Sequence, residues 1–237
     1  MLQAYMHMIL LGHYMNTLIS PINPDKPIIY TDELLIIDSY LEKNVCDRLI
    51  TYAEWCPRIV APVADIKGDK SIGTTQLSTF VAERIEFCRE PQMSKECLSI
   101  VKNIIKNNIS LHYKVGIEWF EFPHILYYKS GGIYEHHSDA DTFDTKSKRW
   151  LRVMDRDFSI ILYLNSAFSG GGLAFPHQNL RVQPRTGLLV VFPSDYRYVH
   201  KAEPTISGKR YALVTWVAKQ GGSRVMNRLP NNIVRLD

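Results

Sequence analysis

Phe158-Ser-Ile-Ile-Leu-Tyr-Leu164, followed by the turn Ser169-Gly-Gly-Gly172 and then Leu173-Ala-Phe175, decides how the second half of this chain is built. The first run is almost continuously apolar, the pattern of a strand covered on both faces. Short apolar runs alternate with turns on either side of it. Phe122 to Tyr128 precedes it. Leu180 to Gln183, Leu188-Leu-Val-Val-Phe192, Tyr196 to His200 and Arg210 to Val217 follow, divided by Pro184-Arg-Thr-Gly187, Pro193-Ser-Asp195 and Ser207-Gly208. Short strands with Gly and Pro turns at close spacing predict an all-β sandwich or barrel rather than a parallel α/β sheet, and a jelly roll is the natural candidate.

Before Gly116 the pattern is different. Ile28-Ile-Tyr30 and Leu34-Leu-Ile-Ile37 read as strands around Thr31-Asp-Glu, and Thr75 to Val81 as another. Leu41, Val45, Leu49, Ile50 and Tyr52 fall at roughly helical spacing, so a helix is expected from Asp38 or Ser39 to about Trp55. A second amphipathic helix is expected from the N-cap Ser94 to about Asn108, carrying Leu98, Val101, Ile104 and Ile105 inward. Residues 57–73, with Pro57, Pro62, Gly68 and Gly73, read as a loop. No constellation of reactive side chains lies in this half, and its expected role is to buttress a sheet. The expected fold is therefore mainly β with supporting helices (α+β), a jelly-roll core packed on N-terminal helices. Residues 28–219 form one domain, with supporting strands and helices over 28–115 and the core over 116–219. An extension over 1–27 precedes it, and 220–237 is a polar tail or a return segment.

The chain has 237 residues and a composition ordinary for a globular protein, with 22% charged residues. Its 28 Lys and Arg against 24 Asp and Glu leave a net charge of +4, too small an excess to argue for nucleic acid. Cys46, Cys56, Cys88 and Cys97 contain no C-x-x-C pair, so free thiols in a reducing compartment are expected, and the cytoplasm as location. Met1 to Ser20 has the short apolar run Met8-Ile-Leu-Leu11 but no basic n-region, and His7, His13 and Asn16 interrupt it; it fits neither a secretory signal nor a membrane span.

Chemistry concentrates in Tyr128-Lys-Ser-Gly-Gly-Ile-Tyr-Glu-His-His-Ser-Asp139. Strand side chains alternate faces, so His137 and Asp139 point the same way and present an imidazole beside a carboxylate, two-thirds of a 2-His-1-carboxylate site for non-haem iron(II). His136 lies on the other face, and Asp141 suits a loop-capping role. His177 has no partner at a telling distance. If the sheet folds back as a jelly roll, His200 can supply the third ligand, and three protein ligands would leave positions open for a bidentate co-substrate and oxygen. Arg210 offers a permanently charged planar fork for a carboxylate. It shares one strand face with Ala212, Val214 and Trp216. The basic segment Lys146, Lys148, Arg149, Arg152 and Arg156 reads as a solvated loop, with Trp150 in it as a hydrophobic anchor or lid contact.

The ordered set Tyr128-x-x-Gly131-x-x-Tyr134-x-x-His137-x-Asp139, Leu162-Tyr-Leu-Asn165, Gly170-Gly-Gly-Leu173-x-Phe175 and His200-x-x-x-Pro204-x-x-x-Gly208-x-Arg210-Tyr211 resembles the iron(II)/2-oxoglutarate dioxygenases of the prolyl 4-hydroxylase type. The resemblance is dense after residue 122 and loose over 30–122, where Asp38-Ser-Tyr-Leu41 and Cys46-Asp47-x-Leu49-Ile50 are similar to that family's strand–helix unit. It implies a double-stranded β-helix with His137, Asp139 and His200 as iron(II) ligands. It implies Arg210 on the C5 carboxylate of 2-oxoglutarate, where the family often has Lys, Tyr128 and Tyr134 lining the co-substrate pocket, and Trp216 as an aromatic near it. The implied reaction uses O2 and hydroxylates a substrate C–H with release of succinate and carbon dioxide, L-ascorbate restoring oxidised iron. The implied substrate is a prolyl residue in a peptide or protein. The alternatives are the same chemistry on a free amino acid or small metabolite, or a non-catalytic metal-binding jelly-roll module. The segment 145–156 does not match the collagen or oxygen-sensing members closely.

Overall fold

A computed structural model describes residues 28–31, 33–61, 82–85 and 91–236. Strands β1 (Ile28–Thr31) and β2 (Leu34–Ile37) form a hairpin, followed by helix α1 (Lys43–Trp55) and strands β3 (Ile59–Val60) and β4 (Glu83–Ile85). Helix α2 (Pro91–Ile104) passes through a wider π turn at Ile105–Ile109 into a last helical turn, α3 (Ser110–Tyr113). The remaining strands are β5 (Ile117–Glu121), β6 (His124–Tyr128), β7 (Tyr134–His137), β8 (Asp141–Asp144), β9 (Arg149–Arg152), β10 (Phe158–Tyr163), β11 (Phe168–Gly170), β12 (Leu173–Phe175), β13 (Leu180–Val182), β14 (Leu189–Pro193), β15 (His200–Ala202), β16 (Thr205–Gly208), β17 (Arg210–Lys219) and β18 (Ile233–Arg235).

A ten-stranded antiparallel sheet runs in the order β1-β2-β14-β10-β17-β6-β4-β3, with β5 on the far end of β17 and β18 beyond β5. A four-stranded sheet, β13-β12-β15-β7, is the second layer. The large sheet is two-sided, and its side chains sort by strict alternation. Leu35 and Ile37, Ile160 and Leu162, Leu189 and Val191, and Tyr211 and Leu213 face Cys46, Leu49, Ala53, Cys97, Val101 and Ile104 of the helices. Their neighbours Leu34 and Ile36, Tyr163, Val190 and Phe192, and Ala212 and Val214 pack with Leu173, Phe175 and Val182 of the small sheet. The near-continuous apolar run of β10 thus reflects two different cores, one on each face. The architecture is the expected jelly roll on helical support.

Local differences have local causes. Helix α1 starts at Lys43 because Ser39 takes φ 52° with its N–H on the Asp38 carboxylate at 3.0 Å, and Leu41 donates to the Gly187 carbonyl, which keeps the chain extended past the expected start. Helix α2 starts at Pro91, whose ring pre-sets φ where no N–H is needed. It continues past Asn108 to Tyr113, where Lys114 at φ 54° ends it in the left-handed conformation. The stretch Tyr196 to His200, expected as a strand, is a 3₁₀ turn over Tyr196–Tyr198 with the strand only at His200–Ala202. The Asp195 carboxylate accepts the Arg197 N–H at 3.0 Å and bends the chain there. After residue 219 the chain returns, and Ile233, Val234 and Arg235 pair with Glu121, Phe120 and Trp119 of β5. The expected strand Thr75–Val81 and the extension 1–27 lie outside the described residues.

His124 on β6 is 7% exposed, with its ring 5.6 Å from that of Trp216. Burial, then the charges of Arg84 and Arg156, push its pKa down to about 3 from 6.5, so it is neutral in the folded chain. The unfolded chain binds the extra proton, so this group's contribution to stability is complete above about pH 6.5 and is lost as pH falls toward about 3. Unfolding free energies from denaturant titrations between neutral and acid pH are expected to fall less steeply in His124→Gln. The difference in slope approaches about 1.4 kcal/mol per pH unit. Parallel pH profiles for the two proteins would show that His124 does not govern this region.

Candidate metal centre

The small sheet brings the three expected ligands together. Strand β15 runs antiparallel to β7 with His200 directly opposite His137, although 63 residues of chain separate them in sequence numbering (200 − 137). Asp139 follows β7 in a bend, and the ligand atoms of His137, Asp139 and His200 all lie within 4.8 Å of one another. His137 Nε2 is 3.7 Å from Asp139 Oδ1, and His200 Nε2 is 3.7 Å from Asp139 Oδ2. These gaps are too long for hydrogen bonds and suit donors that share a cation.

The rings are set for that purpose by the backbone. His137 Nδ1 meets the Glu135 carbonyl at 2.8 Å, and His200 Nδ1 meets the Tyr198 carbonyl at 3.0 Å. A carbonyl only accepts, so each neutral ring carries its hydrogen on Nδ1 and leaves the Nε2 lone pair to the site. Burial, reinforced by His200, pushes the His137 pKa down to about 3, against the pull of Asp139. Burial works to raise the Asp139 carboxyl, but His200, His137 and Arg156 with the Ser159 hydroxyl hold it below the usual carboxylate range. Two imidazoles that present Nε2 and one carboxylate match the donor set of a divalent metal with open positions.

A pocket enclosing about 530 Å³ of non-atom space, part of it open solvent, adjoins His137, Asp139 and His200. Arg210, Ala212, Val214 and Trp216 line it together, as the alternation of β17 requires. Arg210 is 1% exposed, donates from Nη1 to the Gly171 carbonyl at 2.5 Å, and lies 3.8 Å over the Tyr128 ring. Its Nε is buried without a hydrogen-bond partner. A buried guanidinium with an unused donor is costly unless an anion completes it, so a carboxylate-bearing ligand fits here. Gly171, at φ +63°, makes the close approach to Arg210 available, because an added Cβ would sit 3.3 Å from its Cδ and Nη1.

The other expected residues also find their places. Tyr134 stacks on His137 with ring centroids 3.5 Å apart, and both Tyr128 and Tyr134 line the pocket. Trp216 forms its wall, with the Arg156 guanidinium 3.7 Å over the ring. His136 faces away beside Glu135, Asp141 accepts the Tyr196 N–H at 2.8 Å as a loop cap, and exposed His177 sits on the Pro176–Gln178 turn. The basic segment divides. Lys146, Lys148 and Arg149 are exposed around the β8–β9 turn, but Arg152 pairs with Asp157 at 3.1 Å. Arg156 is not a solvated loop residue: it grips Glu121 at 2.5 and 3.0 Å and reaches the Asp139 carbonyl at 3.3 Å. Trp150 stacks on Tyr196 with centroids 5.8 Å apart.

Sequence reasoning missed three contributors. Ser159 donates to Asp139 Oδ2 at 2.6 Å and contacts Ser194 Oγ at 2.8 Å. A lone serine in an apolar strand was its signal. Tyr163 lines the pocket near Arg210, and Asn165 clamps the backbone on both sides of Arg210, accepting from Tyr211 N and donating to Lys209 O. Ser159→Ala is expected to weaken metal binding by about tenfold while the fold persists, read by metal titration alongside circular dichroism. Unchanged affinity would remove Ser159 from the site's support.

Comparison with known proteins gives a consistent picture. The sequence model described as the 2OG-Fe(II) oxygenase superfamily matches residues 123–218. Prolyl 3-hydroxylase 3 of Homo sapiens is 42% identical over 66 residues, 26% of this chain, and the chain spans 9% of that protein's length. Prolyl 4-hydroxylase 13 of Arabidopsis thaliana is 23% identical over 213 residues, 81% of this chain and 73% of that protein. Among solved structures, a prolyl hydroxylase from Trichoplax adhaerens in complex with a hypoxia inducible factor peptide fragment shares the fold at TM-score 0.60, with 19% identity, covering 80% of this chain and 85% of that one. Residues 123–218 thus carry the sequence pattern of the 2OG-Fe(II) oxygenase superfamily, and the chain is similar to prolyl hydroxylases in sequence and in fold.

Proposed function

We propose that the chain is an iron(II)- and 2-oxoglutarate-dependent dioxygenase that hydroxylates a prolyl residue of a peptide or protein. The observation that carries this reading is the pairing of two elements on one pocket: a two-histidine, one-carboxylate cluster and a buried guanidinium with an unused Nε. His137, Asp139 and His200 would hold iron(II), and Arg210 would take the distal carboxylate of 2-oxoglutarate. Bound iron(II) with 2-oxoglutarate and O2 supplies the oxidising chemistry that turns a C–H into a C–OH as succinate and carbon dioxide leave.

The chain's own groups do the rest. The Glu135 and Tyr198 carbonyls fix the imidazole tautomers, and Ser159 steadies the carboxylate. Tyr128 supports the guanidinium from below, and Tyr163 borders the same end of the pocket. Leu126, Ile161, Ala212 and Val214 add apolar lining to the same pocket, which lowers the dielectric around a carboxylate–guanidinium contact and strengthens it. Tyr134 and Trp216 add aromatic surface to the pocket, suited to a pyrrolidine ring. L-Ascorbate is expected to sustain turnover, and the free Cys46, Cys56 and Cys97 suit a reducing compartment such as the cytoplasm. The peptide reading draws on the prolyl hydroxylase relatives.

The test is succinate release across proline-rich peptides and free amino acids, with mass detection of an added oxygen atom. Oxygen gained on a peptidyl proline is the expected result. Oxygen gained on a free amino acid alone would move the substrate class, and no succinate from any mixture of substrates would favour a non-catalytic metal-binding module.

A further inference from the structure

Asp139 lies beyond the end of β7, so no strand ladder holds it, and its position has to come from cross-links. One set comes from the segment that precedes β10. Val153 and Met154 donate to the Ala140 carbonyl at 2.8 and 3.0 Å, and Arg156 donates to the Asp139 carbonyl at 3.3 Å. Arg156 is in turn held by Glu121 of β5 and by the Trp216 ring.

The two residues that flank Arg156 bond elsewhere. Asp155, 1% exposed, accepts the Val225 N–H at 2.7 Å and the Met226 N–H at 3.4 Å. Asp157 accepts the Lys219 N–H at 2.9 Å, and Arg224 approaches it at 3.6 Å while donating to Glu118 and to the Lys219 carbonyl. Further along, β18 covers the open edge of β5 with Ile233 opposite Glu121, the residue that grips Arg156. Residues 219–236 therefore hold both ends of the Glu121–Arg156 pair, one end through Asp155 and Asp157 and the other through β18.

From this arrangement we infer that the C-terminal segment is a tether that positions the Asp139 carboxylate for metal binding, with Asp155 as its latch and Arg156 as the group that transmits the constraint. The inference rests on the reading of Asp139 as a metal ligand. Asp155 touches neither metal nor substrate, and is a positioning residue.

Cobalt(II), used as a probe of the site that does not turn over, is titrated into the whole protein and into Asp155→Ala, while amide exchange at Val225 and Met226 reports the latch. Asp155→Ala is expected to lose protection at both amides and to bind cobalt about tenfold more weakly, with the visible bands of the bound cobalt shifted. Asp155→Asn keeps an acceptor and is expected to restore affinity to within about twofold of the parent. Should Asp155→Ala fail to fold, Arg224→Ala, which releases the more exposed end of the same segment, is expected to move affinity and bands the same way. Lost protection with unchanged affinity and bands overturns the tether, and so does full protection in Asp155→Ala. Asp139→Ala separates the two readings: if it binds cobalt like the parent, the metal assignment fails. If it loses cobalt while Asp155→Ala binds normally, the tether alone fails.

Discussion

His200→Ala is expected to abolish succinate formation and to weaken metal binding by more than the roughly 10–100-fold that loss of an outer supporting partner costs. The site offers two imidazoles and one carboxylate, so the variant is left with a histidine and a carboxylate from one strand end. A bidentate remnant holds a divalent ion far less well, and it loses the geometry that keeps positions open on one side. The fold should persist, because His200 contributes an imidazole between Phe175 and Phe192, at centroid distances of 5.7 and 4.7 Å, and alanine leaves the β15 backbone pairing intact. Circular dichroism and metal titration on the same sample make the check. Full metal affinity in a folded His200→Ala protein would place the metal somewhere else.

Arg210→Ala is expected to leave metal affinity near the parent value and to raise the KM for 2-oxoglutarate by about a hundredfold or more. Truncating one member of a buried, hydrogen-bonded charge pair costs about 2–5 kcal/mol. The cost is large here because, among the described residues, the pocket lining holds no other lysine or arginine; Tyr128 and Tyr163 can donate hydrogen bonds but not charge. Arg210→Lys keeps the charge and loses the planar fork and its stacking on Tyr128, so an intermediate KM is expected. Steady-state kinetics with 2-oxoglutarate varied at saturating metal decide this. A fall in kcat with an unchanged KM would assign the distal carboxylate to another group.

Sequence alone carried the candidate ligands and missed most of what holds them. His137 and Asp139 announce themselves by a spacing of two on a strand end, and Arg210 by lying in phase with Ala212, Val214 and Trp216. The pairing of His200 with His137 needed the fold-back of the small sheet, a long-range contact that no local pattern encodes. Ser159 was visible as a hydroxyl in an otherwise apolar strand, yet its partner Asp139 is 20 residues away. Arg156 misled for a different reason: a cationic side chain among lysines reads as solvated unless its counter-ion is known. Glu121 lies 35 residues earlier, on a strand with no other sign of function. The 3₁₀ turn at Tyr196–Tyr198 was hidden because its cause, the Asp195 and Asp141 carboxylates accepting backbone N–H groups, is tertiary for one of the two.

The two-faced sheet has a practical consequence for anyone who wishes to alter this protein. In β10, odd-numbered Ser159, Ile161 and Tyr163 belong to the pocket side, and even-numbered Ile160 and Leu162 reach largely toward the helices. Thermostability and chemistry are thereby written on alternate letters of the same strand. Volume-conserving changes among Leu49, Val101, Ile104 and Leu213 should be free to accumulate without retuning the site, since they meet it only through a rigid backbone. Insertion of a single residue into β10 would exchange the two alphabets at once, so engineering here tolerates substitution and does not tolerate a change of length.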